Sequence, residues 1–166
     1  MTDGLLPPDI VSLAEQVVAG NRDAGRMLTV AESCTGGLVA AAITEIAGSS
    51  AVLDRGFVTY SNEAKQQLLG VPSEIIETFG AVSIACVWSM AKGALDRSGA
   101  DVAVAISGVA GPGGGSAHKP VGTVVFARVT RDGGDRPEGE LKRFPDEGRS
   151  AIRLAATRCA LELLLP

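Results

Sequence analysis

The chain has 166 residues and a formal net charge of −4, and only 4% of its residues are aromatic although 46% are hydrophobic. The acidic balance and the shortage of stacking aromatics argue against nucleic-acid binding, and no apolar run approaches the roughly 18 residues of a membrane span. Because chains of this length usually build one core, we expect residues 1–166 to form a single domain.

The cysteines and the N-terminal stretch are both typical of a cytoplasmic chain. The three cysteines are odd in number and lack paired spacing, so they indicate neither a disulfide framework nor a zinc site. The stretch MTDGLLPPDIVSLAEQ carries acidic residues where a signal peptide would carry basic ones. We therefore expect a soluble, cytoplasmic protein with reduced cysteines and no bound metal or cofactor.

Helical and strand periods alternate along the chain. Apolar residues recur at helical spacing over 10–17, after two prolines that suit a helix start. Further segments follow in chain order: a strand at 27–31, a helix at 38–46, a strand at 56–60, helices at 62–69, 72–79 and about 87–94, strands at 101–107 and 121–130, a short edge strand at 141–144, and a helix at about 152–163.

The alternation of strands and helices predicts an α/β layered fold with a mainly parallel sheet. RDGGDRPEGE is a turn signal, and the charged LKRF that follows is typical of an antiparallel strand at a sheet edge. In such sheets ligands bind beyond the carboxyl ends of the strands. Three loops follow strands, namely AESCTGG, YSNEAK and SGVAGPGG, and parallel strands would bring all three to one edge.

AESCTGG has two readings. Ser33 or Thr35 could simply cap the helix that begins near Gly36, since a hydroxyl accepts a hydrogen bond from an unpaired amide. Alternatively, Ser33 is a nucleophile beside free backbone amides, with Thr35 as the cap. In that reading Gly36 and Gly37 allow substrate to approach the backbone closely.

A nucleophilic serine needs a base, and the sequence offers two candidates. His118 is the only histidine, but it lies in a loop where an exposed polar residue is ordinary. Lys65 would fall in the first turn of a helix capped by Ser61, where the helix dipole disfavours a cation by roughly 0.3–1 kcal/mol. Burial would have to lower the pKa of Lys65 further for it to act as a base, and Tyr60 could relay or orient the proton.

The glycine-rich loop and the last helix supply candidates for anion binding. SGVAGPGGGSAHKP lacks both the P-loop spacing and G-x-G-x-x-G, although its unhindered amides could form an anion-binding nest or merely a flexible loop. Arg149 and Arg153 lie one helical turn apart at a probable helix start. One of them could hold a phosphate, or both could be surface charges.

Taken together, TVAESCTGG, FVTYSNEAK and SGVAGPGGGSAHKPVGTV closely resemble the C-terminal domain family of the competence-damage-inducible protein CinA. The resemblance extends from about position 10 to 165 and includes LLGVP and GAVS. Stand-alone members are nicotinamide mononucleotide amidohydrolases of pyridine nucleotide salvage. The resemblance therefore implies conversion of nicotinamide mononucleotide and water to nicotinate mononucleotide and ammonia, an α/β/α sandwich, and no metal.

The family's catalytic residues fall on Ser33, Tyr60 and Lys65, which are also the candidates from the residues themselves. As a hypothesis, the Gly36 and Gly37 amides form the oxyanion hole, while the GPGG loop and Arg149 hold the ribose phosphate. Most family members carry a GDR motif before the last helix, whereas the corresponding segment here reads FPDEGRSAIR and is one residue longer. A serine also stands at 107, where threonine is common in the family. The residues expected to bind substrate are Thr35, Gly36, Gly37, Ser107, Gly111, Gly113, Gly114 and Arg149.

Two other functions stay open at this point. Cys34 could be the nucleophile of an amidase with His118 as its base, because a thiolate at a helix N-terminus has a lowered pKa. A non-catalytic module could instead bind a mononucleotide or a partner in competence or repair. Helix surfaces rich in small residues are also compatible with a homodimer.

Overall fold

The computed structural model describes residues 4–133 and 138–166. Its strands form a five-stranded sheet in the order β2-β1-β3-β4-β5. The helices are α1 (Pro8–Asp23), α2 (Leu38–Thr44), α3 (Asn62–Leu69), α4 (Ser73–Phe79), α5 (Ile84–Asp96) and α6 (Arg149–Leu163), with one 3-10 turn at Ser49–Ala51, and the strands are β1 (Leu28–Glu32), β2 (Leu53–Val58), β3 (Val102–Gly108), β4 (Thr123–Thr130) and β5 (Glu138–Arg143).

The strand directions confirm the predicted sheet. β1 pairs in parallel with both β2 and β3, whereas β4 is antiparallel to β3 and to β5. β4 is thus the reversed strand, and the charged strand β5 forms one edge of the sheet. Residues 134–137 of the predicted turn RDGGDRPEGE lie outside the described residues.

The predicted segments occur with shifted ends. β2 starts at Leu53 rather than at 56 and ends at Val58, so Thr59 and Tyr60 lie beyond the strand. α2 ends at Thr44 rather than at 46, because the Ile46 N–H bonds to a carbonyl only three residues back and tightens the last turn. The end of β2 matters for the site, since it leaves the carbonyls of residues 59 and 60 free.

Each face of the sheet is covered by helices, which gives the predicted three layers. The first face carries larger apolar residues such as Val30, Val104 and Phe126, and packs against α1, α2 and α6. The second face packs against α3, α4 and α5, and is built from small residues including Ala31, Ala103, Ala105 and Ala127. No helix among the described residues is long and apolar enough to cross a membrane.

The small residues of the second face let α5 pack closely, and α3 then packs on α5. Gly93 of α5 is buried against the C-terminal end of α3, where a methyl group on Gly93 would overlap the carbonyl oxygen of Leu69. The glycine therefore sets how closely α3 approaches the core. Since Lys65 lies on α3, this contact also positions a candidate site residue.

We predict that Gly93→Ala destabilises the protein by about 1–3 kcal/mol, because overpacking forces α3 away from α5. The opposite sign would follow from helix propensity alone, which favours alanine by about 1 kcal/mol. Urea denaturation monitored by circular dichroism measures the change. Gly99→Ala is the control, since a methyl group there meets nothing within 4 Å.

Candidate active site

The carboxyl ends of β1, β2 and β3 lie side by side, so the three loops that follow them meet at one edge of the sheet. Beyond β1, the Ser33 N–H still bonds to the Ile106 carbonyl of β3, and the Thr59 N–H bonds to the Glu32 carbonyl. Strand geometry therefore continues for one residue past the end of β1. Successive side chains of a strand point to opposite faces, which separates Ser33 from its neighbours.

The Ser33 side chain points to the second face of the sheet, and the Cys34 side chain points to the first face. Cys34 belongs to the core that packs against α1, α2 and α6, and only 5% of it is exposed. Ser33 lies within hydrogen-bond distance of Lys65, which comes from α3 on this second face. The two adjacent residues with nucleophilic side chains are thus placed in different layers.

Lys65 is held by the start of α3. Ser61 caps this helix, as predicted, by accepting a hydrogen bond from the Ala64 N–H at 3.0 Å. The lysine side chain is 1% exposed, and its Nζ lies 2.9 Å from Ser33 Oγ. The same nitrogen donates to the carbonyls of Thr59 at 2.9 Å and Tyr60 at 3.1 Å.

The electrostatic surroundings of Lys65 favour its neutral form. Burial removes the ammonium from water and lowers the pKa of Lys65 below its usual value. No carboxylate among the described residues forms an ion pair with it. Backbone carbonyls and a hydroxyl therefore satisfy the hydrogen bonds of the amine without a counter-charge.

Glu32 caps α2, and the prediction that Thr35 does so is wrong. The buried Glu32 carboxylate accepts hydrogen bonds from the Val39 N–H at 2.9 Å and the Ala40 N–H at 3.1 Å. It also accepts a bond of 2.6 Å from the Thr35 hydroxyl, which is thereby occupied. A carboxylate suits this position because it meets the positive end of the helix dipole. An acidic residue shortly before a predicted helix was the sequence signal for this role.

Arg153 holds the loop between Ser33 and Gly37, here called the nucleophile loop. Its Nε donates to the Cys34 carbonyl at 3.0 Å, and one terminal nitrogen donates to the Thr35 carbonyl at 3.2 Å. Arg153 is therefore neither a free phosphate ligand nor a simple surface charge. Sequence spacing could not reveal this, because the contact spans 119 residues.

Tyr60 and Arg149 meet at the mouth of the site. One terminal nitrogen of Arg149 lies 3.1 Å from the Tyr60 hydroxyl, and the other donates to the Gly111 carbonyl at 2.6 Å. Tyr60 is 63% exposed, and it contacts Lys65 through its backbone carbonyl rather than through its phenol. The expected relay of a proton through the phenol therefore has no hydrogen bond to support it.

The remaining predicted binding residues differ in how close they lie to Ser33. Ser107 is buried on the second face of β3, beside the position that Ser33 occupies past the end of β1. Gly36 and Gly37 have positive φ angles, and the Gly36 N–H donates to the Ser33 carbonyl at 3.1 Å. The exposed loop residues Gly113 and Gly114 make no hydrogen bond to Ser33, Lys65 or Arg149.

The structure does not support the pairing of Cys34 with His118. No hydrogen bond joins these two described residues, and His118 is exposed in its loop. Burial raises the pKa of the Cys34 thiol to about 11, which is opposite to the lowered value that a reactive thiolate requires. Within residues 4–133 and 138–166, no group of three His, Cys, Asp or Glu side chains could hold a metal ion.

Comparison with known proteins identifies the family and the fold. A family model described as the CinA C-terminal domain matches residues 10–166. The chain belongs to this family. Its sequence is 52% identical to the nicotinamide-nucleotide amidohydrolase PncC of Escherichia coli (strain K12), in a match that covers 99% of this chain and 95% of that protein.

Other similar proteins have the same fold, and one of them contains this domain within a longer chain. The crystal structure of competence/damage inducible protein CihA from Agrobacterium tumefaciens is 54% identical, with a TM-score of 0.93 over 99% of this chain and 97% of that one. A CinA-like protein of Shewanella loihica is 45% identical, but the match covers 98% of this chain and only 38% of that protein. In that relative the domain is thus one part of a longer chain.

We predict that the stability of the native protein rises with pH relative to Lys65→Met. In the pH range between the lowered pKa of folded Lys65 and the unfolded value of about 10.4, the unfolded chain binds the extra proton, so raising the pH favours folding. Free energies of unfolding for both proteins, measured with urea from about pH 6 to about pH 10, test this.

Subtracting the Lys65→Met stability curve from that of the native protein cancels the contributions of the other titrating groups to the pH dependence. A flat difference would mean that Lys65 is as easily protonated in the folded protein as in the unfolded chain. Lys92→Met is the matched control, because Lys92 is an exposed helical lysine paired with Asp96. Its difference from the native protein should lack the rise that Lys65→Met produces.

Proposed function

We propose that this protein hydrolyses the carboxamide of nicotinamide mononucleotide, giving nicotinate mononucleotide and ammonia in pyridine nucleotide salvage. The observation that carries the mechanism is the contact of 2.9 Å between Lys65 Nζ and Ser33 Oγ in a buried site without a carboxylate partner. The similarity to proteins named nicotinamide-nucleotide amidohydrolase supports the choice of substrate.

The hydrogen bonds of Lys65 suit a neutral general base. A neutral amine has two N–H groups and one lone pair, and two carbonyls, of Thr59 and Tyr60, accept from this nitrogen. The lone pair is then left for the hydroxyl proton of Ser33. Because burial lowers the pKa of Lys65 and disfavours its ammonium form, the amine is suited to accept this proton.

Acylation begins when Ser33 Oγ attacks the carboxamide carbon while its proton moves to Lys65 Nζ. The pyridinium ring withdraws electrons from the carbonyl, which makes this carbon more electrophilic. The tetrahedral intermediate collapses when the charged Lys65 returns a proton to the departing nitrogen, so that ammonia leaves. The product of this half-reaction is an ester of nicotinate mononucleotide with Ser33.

Deacylation uses the same two residues in reverse order. Lys65, again neutral, accepts a proton from a water molecule that attacks the ester carbonyl. Collapse of the second intermediate releases nicotinate mononucleotide, and Lys65 returns the proton to Ser33 Oγ. One proton carrier thus serves both halves of the reaction, and the balance is one water consumed for each ammonia released.

Arg149 is the proposed ligand for the substrate phosphate. Its guanidinium is fixed by the Gly111 carbonyl and the Tyr60 hydroxyl at the mouth of the site. Arginine is suited to this task because its planar fork binds phosphate oxygens in pairs. Tyr60 then acts by orienting Arg149 and by offering an exposed aromatic ring to the nucleotide.

We predict that Ser33→Ala and Lys65→Met each lower the rate of ammonia release from nicotinamide mononucleotide by at least about 10³-fold, because loss of either member of a catalytic pair removes the function of both. The double variant should be no slower than either single one. Ammonia is measured by a coupled assay, and circular dichroism checks that each variant is folded.

Cys34→Ala is the matched control for the nucleophile, because it changes the adjacent residue in the same loop. It should keep most of the turnover, as its thiol is buried in the other layer. Loss of turnover in Cys34→Ala with retention in Ser33→Ala would overturn the Ser33 assignment. A folded native protein that binds the substrate without releasing ammonia would favour a non-catalytic binding module.

We predict that Arg149→Met raises the KM for nicotinamide mononucleotide by about 10- to 150-fold, the equivalent of a charged hydrogen bond worth roughly 1.5–3 kcal/mol. The KM for nicotinamide riboside, which has no phosphate, should not change. Arg158→Met is the control on the same helix, since Arg158 pairs with Asp9 instead. An equal effect on both substrates would show that Arg149 does not bind the phosphate.

Two further expectations from the sequence stay predictions, namely a cytoplasmic location and a homodimer. A cytoplasmic location agrees with the proposed substrate, which is an intermediate of intracellular nucleotide metabolism. Sedimentation equilibrium of the purified protein measures the oligomeric state directly.

A further inference from the structure

Arg153 binds the nucleophile loop through its backbone carbonyls, and this fixes the direction of the peptide groups. In a trans peptide the carbonyl and the N–H point in opposite directions. The Cys34 carbonyl points to Arg153, so the N–H of the same peptide, which belongs to Thr35, points away from it. That Thr35 N–H has no acceptor among the described residues.

The direction away from Arg153 leads toward Lys65. Arg153 lies on α6, which covers the first face of the sheet, whereas Lys65 lies on α3, which covers the second. Ser33 also faces the second layer. A donor that points from the loop toward this side can meet an oxygen atom on the carbon that Ser33 attacks.

Gly36 makes the contact with Arg153 sterically compatible. Its φ of +60° lies in the left-handed region, and a methyl group on it would lie 3.2 Å from a terminal nitrogen of Arg153. The Gly36 N–H is itself occupied by the Ser33 carbonyl. Gly36 therefore serves as space for the guanidinium. The amides of Cys34, Thr35 and Gly37 have no backbone acceptor among the described residues, and of these only the Thr35 amide belongs to a peptide whose carbonyl Arg153 binds.

We propose that Arg153 is a positioning residue that aims the Thr35 N–H at the oxyanion formed during acylation. The guanidinium fixes the Cys34–Thr35 peptide, and its positive charge polarises this peptide so that the N–H becomes a stronger donor. Such a donor acts mainly in the transition state, where negative charge develops on the carbonyl oxygen. The inference rests on the proposed amide hydrolysis at Ser33, and it adds a residue that touches neither the substrate nor Lys65.

The test compares Arg153→Met with Arg128→Met. Arg128 is the matched control, because it is also partly buried and donates to a backbone carbonyl of α6, that of Leu163. We expect Arg153→Met to lower kcat by about 10²–10³-fold, as removal of one oxyanion donor does, while KM changes by less than about threefold. Arg128→Met should leave both constants near those of the native protein.

A second substrate separates this inference from the identity of the natural one. Acylation of Ser33 by p-nitrophenyl acetate needs the oxyanion donor but no nucleotide recognition, so Arg153→Met should slow the burst of p-nitrophenol by a similar factor. If the native protein is acylated but does not hydrolyse nicotinamide mononucleotide, the proposed function fails, and a slower burst in Arg153→Met still supports the inference.

Three results would overturn the role of Arg153. The first is unchanged kcat and burst rate in a folded Arg153→Met protein. The second is an effect on KM alone, which would make Arg153 a substrate ligand. The third applies if Arg153→Met does not fold. Arg153→Lys then replaces it, because lysine keeps the positive charge but lacks the planar guanidinium, and its kcat should fall about tenfold. Full activity of Arg153→Lys would contradict the proposal.

Discussion

The desolvation of one lysine amine is the constraint on which the site depends. Lys65 is buried without an ionised partner, and this burial lowers the pKa of the amine and favours its neutral form. Everything around it serves this condition. Gly93 lets α3 lie close to α5, Ser61 fixes where the helix starts, and the end of β2 leaves two carbonyls facing the amine.

The sheet lies between the buried Lys65 amine and the charged groups that hold the nucleophile loop. Glu32 and Arg153 both act from the first face, one on the amides of α2 and the other on the carbonyls of the nucleophile loop. Lys65 approaches from the second face. A carboxylate at hydrogen-bond distance from Lys65 would stabilise the ammonium and make Lys65 unsuitable for its proposed role as a base. Glu32 is instead fully occupied by Thr35 and the start of α2.

Much of the fold and the central pair of residues could be predicted from the sequence, because both depend on local signals. Periodicity located the strands and helices, and three polar loops after parallel strands had to converge at one edge. The acidic Glu32, just before a predicted helix, was a local signal for a cap, whereas the roles of Tyr60 and Arg153 could not be predicted in the same way. Their partners are set by packing between layers, as in the contact of Arg149 with Tyr60 across 89 residues, and residue type alone does not encode that.

The alternation of β1 has a further consequence for the chemistry that this enzyme tolerates. The Cys34 thiol is adjacent in sequence to Ser33, the proposed nucleophile, yet it packs on the opposite face of the sheet, with its pKa raised to about 11. Oxidants and alkylating agents react with exposed thiolates, and this site presents none from that residue. Under the proposed Ser33 mechanism, hydrolysis would therefore not depend on a thiol that oxidants can modify.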